Sequence, residues 1–509
     1  MTGTSNTSGY ITDFTNGSCA RKRKVFLATI SSIYEDWAPY PVACLISHCL
    51  KNSFICDNYE FLEPEYRYRW NDESLHDKLR QTDILGLTCY VWNQAANDKI
   101  AQIFKTYNPS GTVIYGGPNV PEDDLDAFKR EYVDHYITGP GELVFEKILD
   151  PASTGTYAIP TPYLDGILDN IMQHNIAVAI ETNRGCPYYC SFCDWGGVSR
   201  SKIIKLSDDK VYDSLAHILR FKPRRLEMLD ANYGIFERDL DFVQYIVDQK
   251  QRDDMLLTFA GFTKNGSASM PKIMNLVMDN FNDKKRNVKI SLQTLTPEVL
   301  ATIDRKNIKT ENLISIMAQL KDVSVSSELI LGLPGETAAT WTDTLFKHRE
   351  LGIDFARSYP LYVLPNTPMA KKEYKDRYDI KTKRMILPDG ETFEMIYQCY
   401  SYDLVEITKI YLIWLYWNTF YNFGLDKNIT RESLNQFLNA PPDVMRIHEV
   451  KAALARIFKP EDTCYLTGYD LEYLHYHLGR GKELLYMKQG GYAITNPDNE
   501  LQSPFAVLR

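Results

Sequence analysis

Apolar and polar positions follow two alternating patterns along the first 150 residues of the chain. Short runs of consecutive apolar residues are separated by longer segments in which apolar residues recur every three or four positions. The short runs predict buried strands, and the longer segments predict helices. Because strands that alternate with helices pair in parallel, we expect a doubly wound, Rossmann-like α/β sheet. The predicted strands are residues 25–30, 84–87 (running on to 90), 112–115 and 134–137, and the predicted helices are 41–50 and 97–106.

The same alternation resumes near residue 176 and yields six strand–helix units. Such a series predicts a partial (β/α)6 barrel, related to the full eightfold barrel, whose catalytic groups follow the C-terminal ends of the strands. The predicted strands are residues 176–182, 225–229, 257–260, 288–292, 327–331 and 357–362.

Beyond Pro388 the pattern changes to long apolar segments rich in Tyr and Trp, which predict helices over residues 404–423, 431–438 and 443–458. The segment 151–169 is rich in Pro, Gly, Ser and Thr and predicts a linker. The expected organisation is a flexible N-terminus (1–22), a Rossmann-like domain (23–150), a linker (151–170), the partial barrel (171–388) and a helical C-terminal region (389–509).

Composition limits the classes of protein to which the chain can belong, but it does not indicate a reaction. The chain is 44% hydrophobic and 24% charged, as expected for a globular protein, and its formal net charge of −9 argues against a nucleic-acid partner. No apolar run near the N-terminus predicts a signal peptide, and none is long enough to predict a membrane span. We therefore expect a cytoplasmic protein that acts away from membranes and whose ten cysteines are reduced.

Three of those cysteines are clustered immediately after a predicted strand. Cys186, Cys190 and Cys193 form a C-x3-C-x2-C motif within the sequence RGCPYYCSFCDW. Three thiolates on one short loop can bind three irons of a [4Fe–4S] cluster and leave the fourth iron open to an external ligand. A zinc site is the alternative, but it would require a second Cys/His pair nearby, and the sequence has none there.

This motif and its context resemble the radical S-adenosylmethionine (SAM) superfamily. In that family the open iron chelates SAM, and one electron releases methionine and a 5′-deoxyadenosyl radical. The resemblance implies that Phe192 packs on the adenine of SAM, that Gln293 and Arg305 contact its ribose and carboxylate, and that Gly332 allows the backbone to approach its adenine. Strand-end motifs at the corresponding positions add three further cofactor-binding candidates: Asp230, Asn232 and Glu336.

The N-terminal domain is similar to the cobalamin (B12) binding-type domains that are fused to some radical SAM barrels. The similarity lies in the DILGLTCYVWN segment and in the glycine-rich turns at 116–118 and 139–141. The chain lacks the Asp-x-His-x-x-Gly motif, so no histidine is expected to coordinate cobalt from below. The resemblance therefore implies either a bound cobalamin or a domain that keeps the fold without the ligand.

The fate of the substrate radical separates three hypotheses. The layout resembles proteusin-type peptide epimerases most, which implies L-to-D epimerisation of residues in a ribosomally synthesised precursor peptide. The alternatives are a cobalamin-dependent radical SAM C-methyltransferase acting on a peptide or small molecule and a lyase that excises peptide backbone. Each requires an external one-electron reductant of the flavodoxin or ferredoxin type.

Epimerisation would need a thiol that returns a hydrogen atom to the substrate. Cys399 is the expected catalytic donor, because it follows the barrel in a strand-like, Tyr-rich run, and a protonated thiol suits an apolar setting. Cys464 and Cys89 are weaker candidates. The alternative for Cys399 is a small buried hydrophobic residue, as most isolated cysteines are.

Overall fold

The computed structural model describes most of the chain between residues 21 and 439, together with short C-terminal pieces. The predicted flexible N-terminus lies outside the described residues except for its last two positions, as does much of the predicted helix 443–458. The described residues are 21–31, 37–67, 72–174, 176–195, 202–262, 267–281, 287–320, 323–387, 390–422, 427–439, 452, 454–455, 457–458, 463–465, 484–488 and 491–495.

The N-terminal domain is a six-stranded sheet in which every strand pair is parallel. Its strand order is β2-β1-β4-β5-β6, and β3 also pairs with β1. The strands are β1 (Arg23–Ser31), β2 (Tyr59–Phe61), β3 (Glu65–Arg67), β4 (Ile84–Thr88), β5 (Thr112–Gly116) and β6 (His135–Ile137). The helices are α1 (Tyr40–Cys49), α2 (Ser53–Asn58), α3 (Glu73–Gln81), α4 (Gln94–Tyr107), α5 (Leu125–Phe128) and α6 (Gly141–Leu149).

Helices cover both faces of this sheet. Successive residues of a strand point to opposite faces, so Phe26 packs with residues of α3 and α4, whereas Val25 and Leu27 pack with residues of α1 and α6. Burial on both faces explains why β1 and β4 are nearly continuous apolar runs. The predicted doubly wound α/β arrangement is confirmed.

The barrel region contains two three-stranded parallel sheets, β11-β10-β7 and β12-β13-β14. Six parallel strands joined through helices match the predicted partial barrel. The elements are α7 (Asp169–Met172), β7 (Ala177–Ile180), β8 (Asn183–Arg184), β9 (Ile204–Lys205), α8 (Asp208–Arg220), β10 (Arg225–Met228), α9 (Arg238–Gln249), β11 (Leu256–Phe259), α10 (Met270–Asn280), β12 (Asn287–Gln293), α11 (Pro297–Thr302), α12 (Thr310–Gln319), β13 (Ser324–Leu331), α13 (Ala338–Glu350) and β14 (Phe355–Pro360).

The region after the barrel combines strands with helices and is therefore less helical than expected. Strands β15, β17, β16 and β18 form a mixed sheet in that order. The elements are β15 (Tyr362–Val363), a 3₁₀ turn (Pro368–Ala370), α14 (Lys372–Arg377), β16 (Lys381–Ile386), β17 (Thr392–Gln398), α15 (Leu404–Trp417), α16 (Arg431–Asn439), β18 (Thr463–Tyr465), β19 (Leu484–Lys488) and β20 (Gly491–Thr495). Within the described part of the chain, no helix is both long and apolar enough to span a membrane.

Candidate active site

The three clustered cysteines lie on a loop that follows β8. Cys186 and Cys190 are each 4% exposed, and Cys193 is half-buried. The loop is fixed at Ser191, whose N–H donates to the Ile303 carbonyl (3.0 Å) and whose carbonyl accepts from the Met369 N–H (2.9 Å). Ile303 and Met369 both lie outside the loop, so the rest of the fold sets the position of the cysteines.

Two buried side chains donate hydrogen bonds to the cysteine sulfurs. Asn232 Nδ2 donates to Cys186 Sγ at 3.0 Å, and Arg305 Nη1 donates to Cys190 Sγ at 3.7 Å. The thiolate is the form of cysteine that binds iron, and an N–H donor or a cation beside the sulfur stabilises the negative charge of a bound thiolate. The structure thus brings four of the predicted site residues together at one place.

Arg305 is held in this position by β12 and the segment that follows it. Its guanidinium donates to Asn307 Oδ1 (2.8 Å) and to the Ser291 carbonyl, and Asn307 in turn donates to the Leu292 and Thr294 carbonyls. Burial lowers the pKa of Arg305 below its usual value, yet a guanidinium remains charged in proteins. Arg305 therefore brings a buried positive charge to the cysteine loop.

Gln293 lies in the same segment with an unusual backbone. Its φ is +67°, in the left-handed region that few residues other than glycine adopt, and the register of β12 against β13 slips between Ser291 and Gln293. Such conformations persist where the surroundings determine them, and they are often found at functional sites.

Asp230 joins the ends of two barrel strands. Its carboxylate accepts from the Thr182 N–H (2.9 Å), the Thr182 hydroxyl (2.7 Å) and the Asn183 N–H (2.8 Å). Burial raises the pKa of Asp230 to about 7, although these hydrogen bonds act in the opposite direction. Since the cysteine loop begins only a few residues after Thr182, Asp230 fixes the start of that loop.

Glu336 and Gly332 belong to a second loop, which follows β13. Glu336 is fully buried and accepts from the hydroxyls of Thr294 (3.1 Å), Thr296 (3.2 Å) and Thr340 (2.7 Å), and burial raises its pKa to about 7. Gly332 has a φ of +82°, and an added Cβ would lie 3.3 Å from Ile407 Cδ1. The backbone conformation therefore favours glycine at position 332, and a larger residue would also require the Ile407 side chain of α15 to shift.

Cys399 is placed in the core beside that second loop. Its backbone N–H donates to the Tyr402 carbonyl (3.0 Å), and its Sγ lies 3.2 Å from Ser401 Oγ. The Tyr402 hydroxyl donates to the Gly332 carbonyl at 2.7 Å. Phe192 is half-buried and packs against the same hydrophobic core. Cys399 therefore belongs to a turn closed by its hydrogen bond with Tyr402, and Tyr402 anchors the second loop through Gly332.

Sequence reasoning missed Arg184 and Asp194, which flank the cysteine motif. Arg184 forms ion pairs with Glu181 (2.6 Å) and with Glu142 of the N-terminal domain (2.5 Å). Burial, with a smaller contribution from the charge of Glu122, raises the pKa of Asp194 to about 6. Their positions next to the motif were the indication in the sequence of a role at the site. Glu142 and Glu122, which interact with them, lie in the N-terminal domain and could not be inferred from sequence spacing.

The loops after β4, β5 and β6 form the C-terminal edge of the N-terminal sheet, where open α/β sheets bind ligands. Tyr90 and Trp92 stack there with ring centroids 4.6 Å apart. Gly117 has a φ of +113°, and an added Cβ would lie 2.9 Å from the Cys89 carbonyl. Gly139 also has a positive φ, and apart from its chain neighbours no atom of the described residues lies within 4 Å of where its Cβ would be. This edge is therefore open beside Gly139.

No three His, Cys, Asp or Glu side chains among the described residues are arranged to hold a single metal ion. In a [4Fe–4S] cluster each cysteine binds a different iron, so the sulfurs need not converge on one point. The arrangement of the three cysteines is compatible with a cluster.

Two curated proteins resemble much of the chain. It is 31% identical over 426 residues to the cobalamin-dependent radical SAM methyltransferase TokK of Streptomyces tokunonensis, covering 74% of this chain and 62% of that protein. It is 29% identical over 423 residues to 2-(S-pantetheinyl)-carbapenam-3-carboxylate methyltransferase of Streptantibioticus cattleyicolor, covering 74% and 61%. The similarity thus spans about three fifths of each relative. No family model matches the chain.

Two solved structures share the fold at low sequence identity. The cobalamin-dependent SAM radical enzyme OxsB, solved with aqua-cobalamin and SAM, aligns with a TM-score of 0.54 at 14% identity, covering 87% of this chain and 74% of that chain. The methyltransferase TsrM of Kitasatospora setae, solved with cobalamin and a [4Fe–4S] cluster, aligns with a TM-score of 0.53 at 16% identity, covering 69% and 74%.

These comparisons overturn the expectation of peptide epimerisation. The two relatives of highest similarity described above are methyltransferases, which matches the alternative hypothesis instead. The physical reason for the error is that an adenosyl radical can start either reaction, so the cysteine motif does not distinguish them. The expected hydrogen-donor role of Cys399 depended on epimerisation and loses its basis with it.

Proposed function

Because the chain belongs to the radical SAM superfamily, we propose that it is a cobalamin-dependent methyltransferase acting on a carbon atom of a small molecule. The observation that carries this proposal is the 31% identity to a cobalamin-dependent radical SAM methyltransferase. The C-x3-C-x2-C motif supports it, since Cys186 and Cys190 are buried and each accepts an N–H bond.

In this proposal, different residues at the C-terminal ends of the barrel strands bind the cluster and SAM. Cys186, Cys190 and Cys193 would bind the cluster, and Asp230 fixes the start of their loop. Asn232 Oδ1 is buried and has no hydrogen-bond partner among the described residues, so it is available to accept from the ammonium group of SAM. When bound, the cluster and SAM supply hydrogen abstraction by a radical, and cobalamin supplies a methyl group.

The open edge of the N-terminal sheet is where we place the cobalamin. Gly139 leaves space beside the backbone there, and the stacked Tyr90 and Trp92 offer an apolar surface for a flat macrocycle. The described loops after β4, β5 and β6 contain no histidine, so this chain would hold cobalamin without a histidine below the cobalt. Arg184 and Glu142 join this edge to the start of the cysteine loop, so the two proposed cofactor sites would lie at one interface.

The proposed reaction needs a carbon substrate and an external one-electron donor. The methyltransferase relative from Streptantibioticus cattleyicolor is named for a small carboxylate substrate, which favours a small molecule over a precursor peptide. We therefore propose a small-molecule partner and a low-potential electron carrier of the flavodoxin or ferredoxin type.

A substrate-independent experiment tests the cobalamin part of the proposal. The full chain, reconstituted anaerobically with iron and sulfide, is incubated with hydroxocobalamin, a low-potential reductant and SAM that carries a trideuterated methyl group. We expect corrinoid to remain with the protein through gel filtration and its recovered methyl group to be deuterated. Protein that emerges free of corrinoid, or corrinoid without the label, would contradict the assignment.

A further inference from the structure

The cysteines of the motif have unequal surroundings. Cys186 accepts an N–H bond from a neutral amide, Asn232, at 3.0 Å, and Cys190 faces the positive guanidinium of Arg305 at 3.7 Å. Both donors are almost completely buried. They come from different loops, since Asn232 follows β10 and Arg305 follows α11.

Packing alone does not account for Asn232. A buried amide with an unsatisfied oxygen destabilises a fold, because that oxygen has lost its hydrogen bond to water. Asn232 Oδ1 has no partner among the described residues, and the amide nitrogen is directed at Cys186 Sγ. A leucine of similar size would fill the same space without that cost. The contact with sulfur therefore points to a functional role.

The physical consequence concerns reduction of the proposed cluster. When one electron passes from an external donor to the cluster, the donor is oxidised by one electron, the cluster gains one negative charge, and no bond forms or breaks. Part of the added charge resides on the sulfurs, so a donated N–H or a nearby cation stabilises the reduced state more than the oxidised state. The low dielectric of a buried site strengthens this effect.

We propose that Asn232 and Arg305 raise the reduction potential of the [4Fe–4S] cluster through their contacts with Cys186 and Cys190. This inference rests on the proposed function, because it requires that the cysteines hold a cluster. Both are positioning residues in this role, since they act through the cysteine sulfurs. It adds a role at the cluster to the expected contact of Arg305 with the carboxylate of SAM, because the guanidinium donates to Cys190 Sγ.

The test is a redox titration of the reconstituted full chain without SAM, monitored by electron paramagnetic resonance of the reduced cluster. Asn232→Leu removes the donor at nearly constant volume. We expect the ratio of reduced to oxidised cluster at a fixed potential to fall roughly tenfold, which is 59 mV for one electron. Arg305→Gln should also lower this ratio. Arg305→Lys, which keeps the positive charge, should give a ratio between those of Arg305→Gln and wild type.

Asn97→Leu is the matched control. Asn97 is also fully buried, also has an unsatisfied Oδ1, and also donates to a cysteine at 3.7 Å, but that cysteine is Cys89, outside the motif. Its substitution should leave the potential unchanged. An equal shift in this control would overturn the proposal, because the shift would then follow from loosening of the fold.

The remaining outcomes separate this inference from the proposed function. If the Asn232→Leu and Arg305→Gln proteins bind the wild-type amount of iron and keep the wild-type potential, the inference is wrong and the cluster assignment stands. If the wild-type chain itself binds no cluster, the proposed function fails. Should Asn232→Leu not fold, the Arg305→Gln and Arg305→Lys pair decides the inference alone.

Discussion

At the scale of single residues, Glu336 shows how burial changes the pKa of a carboxyl group in the loop after β13. Its partners are all neutral threonine hydroxyls, so no cation compensates for the loss of water around its carboxylate. Burial consequently raises its pKa from 4.5 to about 7. The folded chain binds the proton more tightly than the unfolded chain, so Glu336 lowers stability progressively as the pH rises from about 4.5 to about 7.

Glu336→Gln should therefore change how stability depends on pH. Glutamine keeps a hydrogen-bonding oxygen and cannot ionise, so the urea midpoint of the variant relative to wild type should increase as the pH rises across this interval and level off above it. The measurement is urea unfolding at several pH values, with the exposed Glu311→Gln as control. A constant difference between variant and wild type would contradict the raised pKa.

The residues that sequence could identify are those whose chemistry depends on local spacing. Three cysteines on one loop need no knowledge of the fold to suggest a cluster, whereas the partners of Arg184 come from two domains. Cys399 differs: its Tyr-rich context suggested a hydrogen-donating thiol, and the structure places it in a turn packed into the core, where a small buried hydrophobic residue would also lie. A lone cysteine has too little local pattern to separate these roles.

At the scale of elements, α4 begins with a long-range cap. The carboxylate of Glu391, which lies just before β17, accepts from the backbone N–H groups of Ala95 (3.0 Å) and Ala96 (3.3 Å). Helix N-termini leave such N–H groups without partners and carry a partial positive charge, so a carboxylate satisfies both needs. The contact joins the N-terminal domain to the C-terminal sheet.

Glu391→Ala should destabilise the chain by about 1–2 kcal/mol, the range expected for loss of a capping carboxylate. Equilibrium unfolding measures the change, and Glu131→Ala, which removes an exposed carboxylate from the domain that contains α4, is the control. Hydrogen exchange at the first turn of α4 should rise in the variant. Equal stability of the two variants would show that the cap contributes nothing.

Elements with continuous apolar runs were predictable and polar ones were not. Strands β4 and β5 are buried on both faces, so their sequences are recognisable without the structure. In contrast, β2 contains one charged residue among three, and β3 and β16 carry charged residues at alternate or consecutive positions. Pairing with neighbouring strands is what makes these segments strands. In the sheet after residue 360, β17 lies in the run that the sequence indicated as strand-like, and its pairing with β15 and β16 was missed.

At the scale of the whole molecule, contacts between domains bring the candidate cofactor sites to one interface. Asn366, which lies just after β15, donates to the Pro118 and Val120 carbonyls and accepts from the Glu122 N–H at 2.8 Å. Arg184, which ends β8 just before the cysteine loop, makes the corresponding connection to Glu142. The order of domains could be predicted from sequence. The outcome of the reaction depends on which side chains and cofactors lie at this interface, and no local motif specifies that arrangement.

The most direct test of the central claim is formation of 5′-deoxyadenosine from SAM by the anaerobically reconstituted full chain with a low-potential reductant. The wild-type chain and Cys49→Ala, which alters a buried cysteine outside the motif, should form it. Replacing Cys186, Cys190 or Cys193 with Ala should abolish both the cluster and the product. Formation of 5′-deoxyadenosine at the wild-type rate by any of these three variants would contradict the account.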